Sequence, residues 1–252
     1  RGMGVTVTRH AKGEYTFQAN NISVDYIRSA EFVNKCASLR GSVLVVGPLL
    51  TRFGEAFFAK PGGDKIGRRK IDTHIFGLEK LGAGMEYDPE LRAFHLTIRD
   101  GGRLQGCYML LDEASVTGTA NLIMAASLAE GVTTIYNAAC EPYIQQLCRM
   151  LTRMGVTIEG QGSNLLKIYG VKSLHGATHR ILPDMIEVGS FIGLAALNRS
   201  EITIKNVSYD NLGIIPDSFK RLGINLERRG DDIYVPAQDC YEIETDLDGA
   251  IL

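Results

Sequence analysis

The sequence predicts an α+β fold assembled from a few large repeats, and three observations carry that reading. A leucine or methionine followed by glycine, two further residues and an apolar one recurs as MGVTV from Met3, LGAGM from Leu81, MGVTI from Met154 and LGINL from Leu222, in steps of 78, 73 and 68 residues. Each copy is followed, past a polar turn, by a strand-like run, over 15–19, 94–98, 165–169 and 232–236. The residues before the later copies read as helix: within 143–154, Ile144, Leu147, Cys148 and Leu151 fall at i, i+3, i+4 and i+7. A period of this length excludes the short-period solenoids and favours large units packed around a shared axis.

Taken in order, the elements are consistent with that unit. The β-branched run Ser42, Val43, Leu44, Val45, Val46 ahead of Gly47-Pro48 predicts a strand leading into a turn, with Arg40 at an exposed strand end. A helix over 74–81 closes at Gly82, one over 143–154 at Gly155 and one over 217–222 at Gly223, because glycine takes the left-handed C-cap without penalty. Strands over 133–136 and 202–205 each lead to an asparagine, Asn137 or Asn206, and then to a helix. The Ala-, Leu- and Met-rich run 117–128 predicts a helix that Ser115 or Thr117 caps, and 186–197 repeats that composition with Asp184 as a cap. Each unit is thus a helix, a capped turn and a hairpin.

Composition bounds the function. The 252 residues are 45% hydrophobic and 22% charged with a net charge of −2, an ordinary globular composition without the basic footprint of a nucleic-acid binder. No run approaches the roughly 18 to 20 apolar residues of a membrane span. Cys36, Cys107, Cys140, Cys148 and Cys240 are odd in number and scattered, with no C-x-x-C pair, so they read as reduced thiols of a cytoplasmic protein, most of them buried. His10, His74, His95, His175 and His179 show no metal spacing, and no metal or cofactor is assigned. The chain opens on Arg1-Gly2-Met3-Gly4 and stops at Ile251-Leu252, and both ends read as cut; the apolar surface so exposed predicts self-association.

The most chemical segment is PGGDKIGRRKID from Pro61, with Lys65, Arg68, Arg69 and Lys70 beside Gly62 and Gly63. It reads as an anion-handling loop or lid, or alternatively as a solvated surface loop with a charge run. Asp72 reads as an N-cap beside Thr73 and His74. The run from Asp112 through Ser115 to Thr119 enters a helix N-terminus, which suits a phosphate and equally suits plain capping.

The run GPLLTRFGEAFFAKPGGDKIGRRKIDTHIFGLEKLGA from Gly47, with SLRGS at Ser38, DEASVTGTANLIMAASLAEG from Asp112, NAACEP from Asn137 and LPDMIEVGSF from Leu182, resembles the UDP-N-acetylglucosamine 1-carboxyvinyltransferases, also called enolpyruvyl transferases, over nearly the whole chain. The resemblance implies an inside-out α/β barrel of repeated βαβαββ units in two domains, here 1–182, lacking its first elements, and an incomplete 183–252. It implies that the 3'-hydroxyl of UDP-N-acetylglucosamine attacks C2 of phosphoenolpyruvate and that phosphate leaves, the first committed step of peptidoglycan synthesis, with no cofactor.

By the same resemblance Arg69 lies near the phosphoenolpyruvate and nucleotide phosphates, while Lys70, Ile71, Asp72, Thr73 and His74 contact the uridine end. Arg40 contacts the UDP-sugar, and Glu113, Ala114, Ser115 and Val116 form a second wall, where Thr117 replaces the usual glycine. Asp64 stands where most members carry the cysteine linked to protonation of C3, so resistance to fosfomycin is implied, with loop closure setting the carboxyl's protonation. The family's opening Lys-Asn motif and later base aspartate are absent, which implies a fragment that binds weakly and does not turn over. Two rivals stand beside this reading: a shikimate-type enolpyruvyl transferase and a non-catalytic nucleotide-sugar-binding module.

Overall fold

The computed structural model describes residues 2–59, 62 and 71–244, and the chain divides into two compact units, Arg1–Thr178 and His179–Leu252. The first opens with a two-stranded antiparallel hairpin, β1 (Thr6–Ala11) and β2 (Glu14–Gln18), followed by a short α1 (Val24–Ile27) and by α2 (Ala30–Ser38), whose N-cap Ser29 accepts from the Phe32 amide. A 3₁₀ turn over Arg40–Val45 runs into α3 (Val46–Phe53), and β3 (Glu55–Ala59) follows.

Next come α4 (Asp72–Lys80), β4 (Ala83–Asp88) and β5 (Ala93–Ile98), with sheet order β3-β5-β4. The same pattern returns in β6 (Tyr108–Leu110), α5 (Val116–Ala126), β7 (Val132–Tyr136), α6 (Pro142–Arg153), β8 (Thr157–Glu159) and β9 (Leu165–Tyr169), a sheet of order β6-β7-β9-β8 with β6 parallel to β7. The second unit repeats it with α7 (Met185–Leu197), β10 (Ile202–Ile204), α8 (Ile215–Arg221), β11 (Glu227–Arg229) and β12 (Asp232–Val235), in order β10-β12-β11. Among the described residues, strand, helix and antiparallel hairpin therefore recur three times, each time with the hairpin's second strand inside the sheet. The period visible in the sequence is this unit.

The repeated glycine has a physical cause. Gly4, Gly82, Gly155 and Gly223 all sit at positive φ, at 91°, 101°, 107° and 80°, where a side chain is strained. In the last three the chain must leave a helix and turn back into a hairpin over a short stretch, from Lys80 to Ala83, from Arg153 to Thr157 and from Arg221 to Glu227. Asn137 and Asn206 take the same conformation, at 59° and 54°, after β7 and β10.

Within the first unit, α5 lies in the interior and the sheet β6-β7-β9-β8 covers it. Along β6, β7 and β9 the side chains of Met109, Ile135, Leu166 and Ile168 point into the core, while Tyr108, Leu110, Tyr136 and Leu165 face outward. α5 is apolar on nearly all sides and packs against α3, α4 and α6, with Leu122 and Ile123 fully buried; each such side chain contributes about 1.5–3 kcal/mol. In the second unit α7 buries Val188, Ile192 and Ala195 but leaves Ile186, Leu194 and Leu197 exposed. Among the described residues no helix is long and apolar enough to cross a membrane.

Two expectations are corrected here. Residues 42–46 are not a strand: Val43, Val46, Leu49 and Leu50 fall on one helical face and are buried, so burial outweighs the β propensity of the run. Gly47-Pro48 is accordingly the first turn of α3, where proline is tolerated, and Arg40 opens the 3₁₀ turn half-buried. The second correction concerns the thiols, of which only Cys36 and Cys148 are buried while Cys140 and Cys240 are exposed.

Candidate functional site

Two helix starts lie side by side. Contacts between the α4 and α5 segments advance together in sequence: Thr73 Oγ1 donates to Glu113 Oε1 at 3.3 Å, His74 Nε2 meets Thr117 Oγ1 at 3.2 Å, and a Cβ on Gly77 would strike the Leu122 side chain. The helices are therefore parallel, and their N-terminal ends, each with unsatisfied N–H groups and partial positive charge, open on the same side. Ser115 caps α5 by accepting from the Gly118 amide at 3.2 Å, which leaves Thr117 free of the capping role. Asp72 is not the cap of α4 but its first residue; the cap position belongs to Ile71, which offers no side-chain acceptor.

Of the residues named from the sequence, Ile71, Asp72, Thr73 and His74 thus stand against Glu113, Ala114, Ser115 and Val116, with Asp72, Glu113 and Ala114 exposed at the rim. Arg40 is near enough that its charge acts on His74. Gly62, the foot of the glycine-rich loop, sits against the Ala37 carbonyl oxygen, which a Cβ would strike, three residues before Arg40. Asp64, Arg69 and Lys70 lie outside the described residues.

His74 is the most deeply buried titratable group of the described site. It is 2% exposed, and its pKa is pushed down to about 4, first by burial and second by the positive charge of Arg40. Its tautomer follows from its neighbours. The Gly47 amide donates to Asn121 Oδ1 at 2.8 Å, so the Asn121 NH₂ must face His74 Nδ1, at 3.2 Å, and that nitrogen accepts. The proton sits on Nε2 and is donated to Thr117 Oγ1. Protonating Nδ1 would set two donors against each other, so the network keeps the ring neutral.

Stability should depend on pH accordingly. The unfolded chain takes up the His74 proton near pH 6.5 and the folded chain only near pH 4, so stability is lost as pH falls through that window. The loss from this residue alone is about 3 kcal/mol at its full extent. Urea unfolding from pH 7 to pH 4 should show it, and His74→Gln should flatten the slope in that window; an unchanged slope would refute the assignment.

Sequence reasoning missed Asn121, although an amide in an otherwise apolar helix is a visible signal for a buried polar contact. It also missed Arg103, whose guanidinium donates to the carbonyls of Leu128, Ala129 and Val171 and for which no pattern in the sequence speaks. Thr119 is fully buried and accepts from the Ala139 amide at 3.0 Å, which ties the segment 137–142 to α5. Among the described residues no group of three or more His, Cys, Asp or Glu could hold a metal ion.

Comparison with known proteins gives a consistent picture. Residues 1–251 match the EPSP synthase (3-phosphoshikimate 1-carboxyvinyltransferase) family. A Bacteroides thetaiotaomicron protein named UDP-N-acetylglucosamine 1-carboxyvinyltransferase is 64% identical over 252 residues, all of this chain and 57% of its own length, and a Porphyromonas gingivalis protein of the same name is 62% identical over the same span. The chain thus spans little more than half the length of the curated relatives it matches. Among solved structures, the enolpyruvyl transferase NikO from Streptomyces tendae aligns over 94% of this chain and 55% of its own, with a TM-score of 0.74 at 19% identity. An EPSP synthase from Acinetobacter baumannii aligns over 94% and 54%, with a TM-score of 0.62 at 20% identity. These likenesses establish a mixed α+β enolpyruvyl transferase fold.

Proposed function

Because this chain belongs to the EPSP synthase family, we propose that the protein of which it is part transfers the enolpyruvyl group of phosphoenolpyruvate to the 3'-hydroxyl of UDP-N-acetylglucosamine, releasing phosphate in the first committed step of peptidoglycan synthesis in the cytoplasm. The acceptor is argued from the 64% and 62% identity to proteins whose names state it, against 19% and 20% to NikO and the EPSP synthase.

The observation that carries the reading is the pairing of two parallel helix N-termini, lined by 71–74 and 113–116, with Arg40 beside them. Such an arrangement suits a nucleotide diphosphate, since backbone N–H groups and helix dipoles converge on one anion and arginine adds a planar donor. In this reading the carboxylate of Asp72 and the backbone of 70–74 receive the uridine end, and Ser115 and Val116 bound it on the other side. Arg69 neutralises charge on the phosphates as it develops, and Asp64 protonates C3 of phosphoenolpyruvate. Binding both substrates this way needs no metal ion or organic cofactor.

Calorimetric titration of UDP-N-acetylglucosamine into this chain tests the site. Saturable binding that Arg69→Ala and Asp72→Ala each remove is expected; a folded chain that takes none of the ligand counts against it. For the whole protein, phosphate release should require UDP-N-acetylglucosamine and fail with shikimate 3-phosphate, and fosfomycin should leave it active. Release with shikimate 3-phosphate would instead favour the shikimate-type reaction.

A further inference from the structure

We propose that Thr117 is a positioning residue for the sugar-nucleotide site: held by the Nε2–H of His74, its hydroxyl clamps the start of α5 to the start of α4 and sets the spacing between the two walls. This rests on the functional reading above and adds to it a residue in which the chain departs from the glycine of the family it resembles.

The clamp is the outer end of a network rooted in the core. Gly47 N–H, Asn121 and His74 form one directed chain of hydrogen bonds, each fixing the orientation of the next, and that chain ends on the Thr117 hydroxyl. Gly47 and Asn121 are buried, whereas Thr117 is half-buried at the open end, so the chain runs from α3 through α5 and α4 to the rim of the site. Glycine at 117 would offer His74 no acceptor, and its buried N–H would lose its partner. The second polar tie between these two helix starts, Thr73 to Glu113 at 3.3 Å, involves an exposed carboxylate and holds weakly. Next to the clamp the helices have no slack, since a Cβ on Gly118 would come within 2.8 Å of Thr73 Cγ2. A small opening at this level therefore moves 71–74 away from 113–116 together.

The test uses this chain with Thr117→Val, which keeps the shape and loses the acceptor, and Thr117→Ser, which restores it. Affinity for UDP-N-acetylglucosamine is expected to fall about tenfold in the valine variant and to return to within about threefold in the serine variant. The imidazole N–H of His74 should be protected from exchange in the wild type and in Thr117→Ser, and exposed to it in Thr117→Val. If valine crowds α4 and unfolds the chain, Thr117→Ala removes the acceptor without added bulk and is read the same way. Unchanged affinity in the variants lacking the hydroxyl, or equal loss with serine, overturns the proposal. A wild type that takes no ligand removes the functional reading itself, before any substitution is made, and the positioning role falls with it.

Discussion

Replacing Arg103 by methionine is expected to destabilise the first unit by about 2–4 kcal/mol, because several bonds from a charged donor are lost at once, although the residue is far from any proposed ligand contact. Its guanidinium donates to the Leu128 carbonyl through Nε at 3.1 Å and Nη2 at 2.9 Å, to Ala129 O at 3.1 Å, and to Val171 O. Those oxygens lie just past the C-terminal end of α5 and just past β9, so one half-buried cation joins the central helix to the sheet. It also places positive charge at the negative end of the helix dipole. Methionine keeps the stem's packing and leaves the carbonyls without their donor. Arg103→Lys should recover only part of the loss, because an ammonium cannot reproduce the planar fork. Urea unfolding decides: a loss below about 1 kcal/mol for methionine, or lysine equal to arginine, would show that water replaces these bonds cheaply.

Arg103 also marks where the sequence stops being legible. The repeat was readable because a glycine forced to positive φ, a helical apolar stripe and a short β-branched run each leave a local signature, as at 143–155 and again at 215–223. The bonds of Arg103 span 25, 26 and 68 residues, and nothing local distinguishes it from a surface arginine. The run 42–46 failed for the converse reason. Its β-branched residues carry the local preference of a strand, but Val43, Val46 and Leu50 have a buried helix to pack against and no neighbouring strand to pair with among the described residues.

The candidate site divides the same way. The residues 71–74 and 113–116 were found by their resemblance to a known pattern, and the structure adds that they face each other across two parallel helix starts. What spacing could not supply is the tautomer of His74, because that depends on which atom of Asn121 the Gly47 amide meets, a contact across 74 residues. Thr117 looked like a second candidate cap next to Ser115; with the cap filled by Ser115, its hydroxyl is left to end a buried network.

That network gives Gly47→Ala an expected effect larger than one methyl group suggests. An ideal Cβ on Gly47 would lie 2.6 Å from Asn121 Oδ1, 2.7 Å from Asn121 O and 3.4 Å from Ala125 Cβ. The side-chain oxygen could rotate away, but the backbone oxygen belongs to the central helix and moves only if α3 and α5 separate. Forcing that separation in a close-packed core costs about 1–3 kcal/mol, and losing the 2.8 Å bond from the Gly47 amide to a buried acceptor adds about 1–3 kcal/mol. Gly41→Ala is the control, since an added methyl there would meet nothing within 4 Å and the backbone φ is not positive; it should change stability by less than about 0.5 kcal/mol. The effect should also reach the site. Once Asn121 no longer accepts from Gly47, its amide is free to turn, Nδ1 of His74 loses its fixed donor, and the bond to Thr117 weakens. Gly47→Ala should therefore lower both the unfolding free energy and the affinity for UDP-N-acetylglucosamine, with partial loss of the protected imidazole N–H. A stability loss with affinity and imidazole exchange intact would show that the helices move apart as rigid bodies and that the relay does not couple the core to the site.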